Sequence, residues 1–239
     1  MRISRIHTAQ ALAADTEAAL DAQTAHYLGK VLRLGAGDRL TLFNGDGHEY
    51  PATIVHVDRK TCSVRLGKPT SPATESALHT VLGLGISRGE RMDYAIQKST
   101  ELGVSTIVPL FTEYCEVRLD AERQQKRQEH WQQVAISACE QSGRVRIPAV
   151  HNPQALATWI RSAPAELCLL FDPDQDTRLP ATRPATGVAL LIGPEGGLSA
   201  EEISAAHHAG FVGIALGPRI LRTETAPVAA LAVLQYLWG

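Results

Sequence analysis

The chain has 239 residues, long for one ordinary domain and sufficient for two. Hydrophobic residues make up 44% and charged residues 20%, which excludes disordered, collagen-like and coiled-coil chains and fits a globular protein. Net charge is −2, from 23 Lys+Arg against 25 Asp+Glu with no basic run, so any contact with nucleic acid has to use placed arginines instead of bulk charge.

The first 70 residues read as β-rich. A short helix is expected over Ala22–Leu28. Arg39–Phe43 alternates and ends in Asn44-Gly45-Asp46-Gly47, a hairpin signal because Asn and Gly tolerate positive φ. His48–Val57 and Cys62–Leu66 follow as strands, and short strands with tight turns suggest a small barrel. Lys68–Ser76 has two prolines and no periodicity, so the boundary is placed there, between a domain over 1–70 and another over 74–239. In the second domain strands alternate with helices. Strands are predicted over His79–Gly85, Thr106–Phe111, Leu167–Phe171, Val188–Ile192 and Val212–Leu216. Helices are predicted over Glu90–Leu102, Asp120–Ser142, Ala155–Ser162, Ser199–Ala209 and Val228–Trp238. Gly103, Gly143 and Gly210 act as stops, and Ser199 with Glu202 forms a capping box. This alternation implies an α/β fold with a mostly parallel sheet.

Several chemistries are weighed and set aside. Gly85-Ile86-Ser87-Arg88-Gly89 is a GxSxG at a strand-to-helix turn, and Asp172, Asp174 or Asp176 followed by His207 or His208 would complete a hydrolase order. Only one strand of that domain precedes Ser87, however, and both histidines fall inside a predicted helix. Gly83-x-Gly85-x-x-x-Gly89 is one residue too long for a dinucleotide fingerprint. Cys62, Cys115, Cys139 and Cys168 have no CxxC spacing and the histidines no metal spacing, so no disulfide framework and no metal site are expected. The first twenty residues carry acids where an export signal needs an apolar core, and no apolar run approaches membrane-spanning length. A cytoplasmic protein without membrane attachment is expected.

The informative segments are two loops. LLIGPEGGLSAEE (Leu190–Glu202) puts three glycines and a proline between a buried strand and a helix, where backbone groups can approach a flat ligand closely. LGPRILRTETAP (Leu216–Pro227) repeats the arrangement after the next strand and carries Arg219, Arg222 and Glu224. Paired arginines beside two glycine loops make a joint ligand and anion site.

These two segments resemble the signature of the SPOUT methyltransferases, and more closely that of the 16S ribosomal RNA uracil-N3 methyltransferase family. His26–Gly47 and the opening MRISRI resemble that family's PUA-like RNA-binding barrel, and Ser87–Val104 and Ala138–Arg144 its internal motifs. Asn152–Arg183 and Lys68–Ser76 match weakly. The resemblance implies a trefoil-knotted α/β domain behind a small PUA-like barrel, acting as a homodimer on 16S rRNA of the small ribosomal subunit with S-adenosylmethionine as methyl donor and no metal. It implies cofactor contacts from Leu170, Phe171, Leu191, Ile192, Gly193, Pro194, Glu195, Gly196, Gly197, Leu216, Gly217, Ile220, Leu221 and Thr225. Arg222, then Arg219, would stabilise charge on the uracil oxygens, and Glu224 either orients an arginine or serves as the base; a surface Arg222–Glu224 ion pair is the plainer alternative. RNA contacts are expected from Arg2, Arg5, Lys30 and Arg33 on the barrel and from Arg88, Lys98, Glu140 and Arg144 on the catalytic domain. The rival readings are the serine hydrolase and a catalytically dead RNA-binding module of the same fold.

Overall fold

The computed structural model describes residues 3–162, 165–172, 179 and 182–239, so Arg2, Asp174 and Asp176 lie outside the described residues. The chain divides into two units, Met1–Glu75 with Cys139–Ile147, and Ser76–Ala138 with Pro148–Gly239.

The first unit is a five-stranded sheet built from β1 (Ser4–His7), β2 (Glu17–Leu20), β3 (Arg39–Phe43), β4 (Tyr50–Val57) and β5 (Cys62–Leu66), in the order β1-β3-β4-β5-β2. β1 runs parallel to β3 and the other pairs are antiparallel. Alternation decides which side faces in: Tyr50, Ala52 and Ile54 of β4 and Cys62, Val64 and Leu66 of β5 are buried, while Pro51, Thr53 and Val55 face out. They pack with Leu40, Leu42 and Leu28 into one core. Helix α1 (Ala22–His26), capped by Asp21, continues as a π-turn over Tyr27–Val31, three residues past the predicted end. β1 and β2 were not anticipated, because four-residue strands are too short for alternation to stand out.

Three of the expected RNA contacts are employed inside this unit. Arg5 donates from its guanidinium to Glu49 and to the carbonyls of Cys139, Glu140 and Arg144, and lies over the Phe43 ring at 4.7 Å. It thereby adds a donor at the end of the helix over Ala121–Ser142, where the Cys139 carbonyl also accepts from the Gly143 amide at 3.2 Å. Glu140 accepts from the His7 amide at 2.9 Å. Arg144, only 6% exposed, donates to Glu75, whose other oxygen accepts from the amides of Val145 and Arg146. Charges this far from water need such partners, and the pairing occupies the groups that an RNA phosphate would use.

The second unit is a parallel sheet in the order β12-β10-β11-β6-β7-β8. Its strands are β6 (Thr80–Gly85), β7 (Thr106–Phe111), β8 (Ala149–Val150), β9 (Gln154–Ala155), β10 (Leu167–Phe171), β11 (Val188–Ile192) and β12 (Val212–Ile214). β6 and β11 are buried at every position, as strands covered on both faces require. Leu82, Leu84, Leu190 and Ile192 face a core shared with α2 (Glu90–Glu101), α3 (Ala121–Ser142) and α6 (Thr225–Trp238). Val81, Ala189 and Leu191 face a second core with α4 (Leu156–Trp159) and α5 (Ala200–His208). The expected α/β class with a parallel sheet is therefore present as three layers. β8 and β9 pair with opposite ends of β7, at Thr106–Ile107 and Leu110–Phe111, and leave Pro109 between them. Proline has no N–H to offer a neighbour, so the edge is broken there.

Boundaries also move elsewhere: β4 starts at Tyr50, two residues later than expected, β12 stops at Ile214, two residues short, and α6 begins at Thr225, three residues early. Pro227 sits in that first helical turn, where a missing N–H costs nothing.

Burial pushes the Glu75 carboxyl up, but the Arg144 guanidinium and the amides of Arg146 and Val145 outweigh it and hold it below the usual range. Its stabilisation is complete above the unfolded-state pKa and is lost as pH falls through the lower folded-state value. Glu75→Ala leaves a buried guanidinium uncompensated and is expected to cost about 3–5 kcal/mol in urea unfolding at neutral pH. The gap to wild type should narrow in acid.

Candidate active site

The order β12-β10-β11 sets the carboxyl ends of three strands side by side, with β10 between the two strands whose loops carry the glycines. The sequence reading treated these loops as consecutive neighbours; the intervening strand adds Phe171 and Asp172 to the floor between them. The loops enclose one cavity of about 680 Å³, within the range of small-molecule sites.

Local chemistry explains the loop positions. A Cβ on Gly85, the last residue of β6, would collide with the nitrogen and Cδ of Pro194 and lie 2.8 Å from the Gly193 carbonyl carbon. Glycine alone permits that approach. Gly217 has φ +81, a left-handed conformation that turns the chain off β12 towards the cavity. The far end of the GPEGG loop is held by the capping box: Ser199 accepts from the Glu202 amide at 3.3 Å and Glu202 accepts from the Ser199 amide at 3.0 Å.

Most of the expected residues meet at this cavity. Leu170, Phe171, Ile192, Gly193, Pro194, Glu195, Gly196, Gly197, Leu216, Gly217, Ile220 and Leu221 line it, together with Arg219, Arg222 and Glu224. Leu191 and Thr225 do not. Leu191 is fully buried in the core behind the strand, and Thr225 opens α6, donating its amide to the Arg222 carbonyl at 2.8 Å. Arg91, Asp172 and Thr223 also line the wall without having been expected there, as do the apolar Leu198, Ile203, Ile214, Ala215 and Ala226. Asp172 directly follows the predicted strand and Thr223 lies between two named residues; nothing in the α2 pattern pointed to Arg91.

The charges divide into two sets. Glu195 accepts from the Arg88 amide at 3.0 Å and from the Arg91 guanidinium at 2.9 Å, so its carboxylate faces the start of α2. Partial burial pushes its pKa up, but these donors hold it below the usual range. Arg219 and Arg222, by contrast, are exposed on the rim and form no ion pair among the described residues. The plainer Arg222–Glu224 pair is not made: Glu224 Oε2 is buried without a partner. An unpartnered buried carboxylate oxygen is costly, and a donor on a bound ligand would relieve it. Apolar Ile192, Ile214 and Leu216 suit a flat ring, and the Asp172 and Glu224 carboxylates suit a cationic ligand.

Elsewhere, Arg88 pairs with Glu116 at 2.6 Å and Lys98 with Glu101 at 2.8 Å. Lys30 and Arg33 are exposed in the first unit without ion pairs among the described residues, and Arg33 has the unusual φ of +57. The hydrolase reading fails on geometry. Ser87 is 5% exposed and its hydroxyl faces Thr223 Oγ1 at 3.1 Å, while His207 and His208 are each engaged by a backbone carbonyl, of Phe211 and Ser204.

A family profile described as an RNA methyltransferase domain matches residues 74–235, and one described as an RNA methyltransferase PUA domain matches 20–67. A ribosomal RNA small subunit methyltransferase E from Buchnera aphidicola (Schizaphis graminum) is 39% identical over all of this chain and 98% of its own length. The chain belongs to the ribosomal RNA small subunit methyltransferase E family. Two solved structures are similar throughout. A Legionella pneumophila protein described as a methyltransferase, in complex with bound SAM, is 41% identical over 99% of this chain and 98% of its own, with TM-score 0.94. A ribosomal RNA small subunit methyltransferase E from Neisseria gonorrhoeae bound to S-adenosylmethionine is 35% identical over 100% and 99%, with TM-score 0.93.

The close approach at Gly85 fixes where the GPEGG loop leaves the sheet. Gly85→Ala is expected to weaken binding of S-adenosylmethionine by about tenfold or more in calorimetry. Unchanged affinity would show that the loop adjusts without loss.

Proposed function

We propose that this chain transfers the methyl group of S-adenosylmethionine to N3 of a uridine in 16S rRNA of the small ribosomal subunit. The observation that carries the reading is the single cavity walled by both glycine loops, in a chain whose full-length relatives are ribosomal RNA small subunit methyltransferases E.

The backbone of 192–197 and 216–221 holds the donor, with Ile192, Leu216 and Leu221 against its ring. When bound, S-adenosylmethionine supplies an electrophilic methyl on a sulfonium, which needs positioning more than activation. Uracil N3–H becomes a nucleophile only as its proton leaves, and the charge then spreads over O2 and O4. Arg222, with Arg219 beside it, is free to stabilise that charge. Glu224, with its unpartnered oxygen at the wall, either takes the N3 proton or orients Arg222. N3 lies on the pairing edge, so the target has to be unpaired or extruded.

In the first unit, we read the five-stranded sheet as part of a PUA-like RNA-binding barrel over 1–70, a reading supported by the match of a PUA-domain profile to 20–67, with exposed Lys30 and Arg33 as phosphate contacts. Arg88 and Lys98 serve the same purpose on the domain over 74–239, each by exchanging its carboxylate partner for a phosphate. Arg5, Glu140 and Arg144 act on RNA only through the frame they hold. A trefoil knot in the catalytic domain is supported by the path after β12. That segment leaves the sheet edge, bonds Thr223 to the Gly193 carbonyl, and ends in α6, which packs on α2. A homodimer is supported by the apolar face that α6 leaves exposed, with Tyr236 91%, Leu237 49% and Val233 37% accessible. We read the protein as a cytoplasmic enzyme acting on ribosomal particles, a reading supported by relatives that are ribosomal RNA small subunit methyltransferases E.

Incubation with labelled S-adenosylmethionine and small subunits from a strain lacking the enzyme tests the reading, and nucleoside mapping should find 3-methyluridine. No label transfer, or label on another base, would refute it. Arg222→Ala should abolish turnover while leaving cofactor affinity within about tenfold, roughly 1.4 kcal/mol. Light scattering should give the mass of a dimer, and a paired Val233→Asp and Tyr236→Asp change should give a monomer.

A further inference from the structure

The GxSxG serine has no place in the methyl-transfer chemistry, yet it is buried beside the cavity. Ser87 Oγ lies 3.1 Å from Thr223 Oγ1, and Thr223 Oγ1 lies 3.0 Å from the Gly193 carbonyl oxygen. A carbonyl only accepts, so the single Thr223 hydrogen goes to Gly193. The Ser87 hydroxyl then donates to Thr223 Oγ1, with the Gly85 carbonyl as a longer alternative at 3.4 Å. A directed chain of two hydroxyls therefore joins three segments: the turn after β6, the GPEGG loop after β11, and the loop before α6.

The position of Thr223 gives the chain its consequence. Its neighbours Arg222 and Glu224 line the cavity, Arg222 exposed and Glu224 with a buried unpartnered oxygen, while Thr223 itself is 8% exposed. An inward anchor between two site residues sets the backbone that aims both. The same bond ties that backbone to Gly193, in the loop assigned to the cofactor.

We infer that Thr223, held by Ser87, is a positioning residue that keeps Arg222 and Glu224 in register with the cofactor loop. Both hydroxyls are engaged within the protein, by each other and by the Gly193 carbonyl, so they act through Arg222 and Glu224. This rests on the methyl-transfer reading above, so the test includes a readout that does not need activity.

The variants are Thr223→Val, which keeps the shape and removes the hydroxyl, Thr223→Ser, Ser87→Ala, and the Ser87→Ala/Thr223→Val pair. Kinetics at saturating cofactor and RNA should show kcat lower by about tenfold or more in Thr223→Val, with thermal midpoints near wild type. Thr223→Ser should recover kcat to within about threefold. Ser87→Ala should lower kcat by a smaller factor, and that factor should vanish in the Thr223→Val background, because the two act through one bond. Amide exchange in the cofactor-free protein should be faster over 193–197 and 222–225 in Thr223→Val and in Ser87→Ala. Wild-type kcat in Thr223→Val, failure of Thr223→Ser to recover, or multiplying losses in the double variant would each overturn the inference. Should Thr223→Val not fold, Ser87→Ala carries the test alone, and unchanged exchange and kcat there would overturn it. If wild type transfers no methyl group, the functional reading falls while the exchange experiment still judges the clamp.

Discussion

Where β6 ends, the loop after β11 lies so close that no methyl group fits between them. Gly85 meets the backbone of Gly193 and Pro194, and this contact organises the site. It is possible because β6 and β11 pair in parallel with Leu84 opposite Ile192, so both chains leave the sheet at one level. The GPEGG loop then folds over the strand ends, and its first carbonyl is turned to accept the Thr223 hydroxyl. A side chain at residue 85 would move the loop, and with it the wall of the cavity and the anchor between Arg222 and Glu224.

The distribution of charge follows one rule in both units. Where an ionised group is buried, it is consumed by an internal partner, as with Arg144 and Glu75 or Arg5 and Glu49. Such pairs add little net stability but are damaging to break. Where a charge is exposed and unpaired, as at Arg219 and Arg222, it remains available to a ligand. The orphaned oxygen of Glu224 stands between these cases: it is buried, lines the cavity and lacks a donor. Other buried polar atoms also lack partners, Asp93 Oδ1 and Trp131 Nε1 among them, but of the set only the Glu224 oxygen belongs to a residue that lines the cavity.

Sequence patterns located the regular elements well where the pattern was long. β3, β5, β7, β10 and β11 fall where alternation or continuous burial put them, and the capping box at Ser199 forms as read. Short strands such as β8 and β9 escaped, since two residues have no period and their pairing is set by Pro109 on another strand. The GxSxG motif, set aside as a hydrolase signal, has a structural basis instead. Its glycine at 85 answers to a close contact, and its serine answers to a threonine 136 residues away.

Composition, periodicity and glycine placement by themselves determined the α/β class and the strands that carry the two loops, and the loop motifs, through the resemblance they carry, named many of the residues that line the cavity. Those features are local, because turn geometry and burial on both faces leave their mark within a few residues of sequence. Tertiary structure alone decided which charges are spent and which are free. Arg5 and Arg222 look equally available in the sequence, yet one serves the end of a helix and the other faces a cavity. It also decided that β10 lies between the two glycine loops and that Arg91 and Thr223 join the wall. These outcomes depend on strand order and on groups meeting across more than a hundred residues, and no local period encodes that.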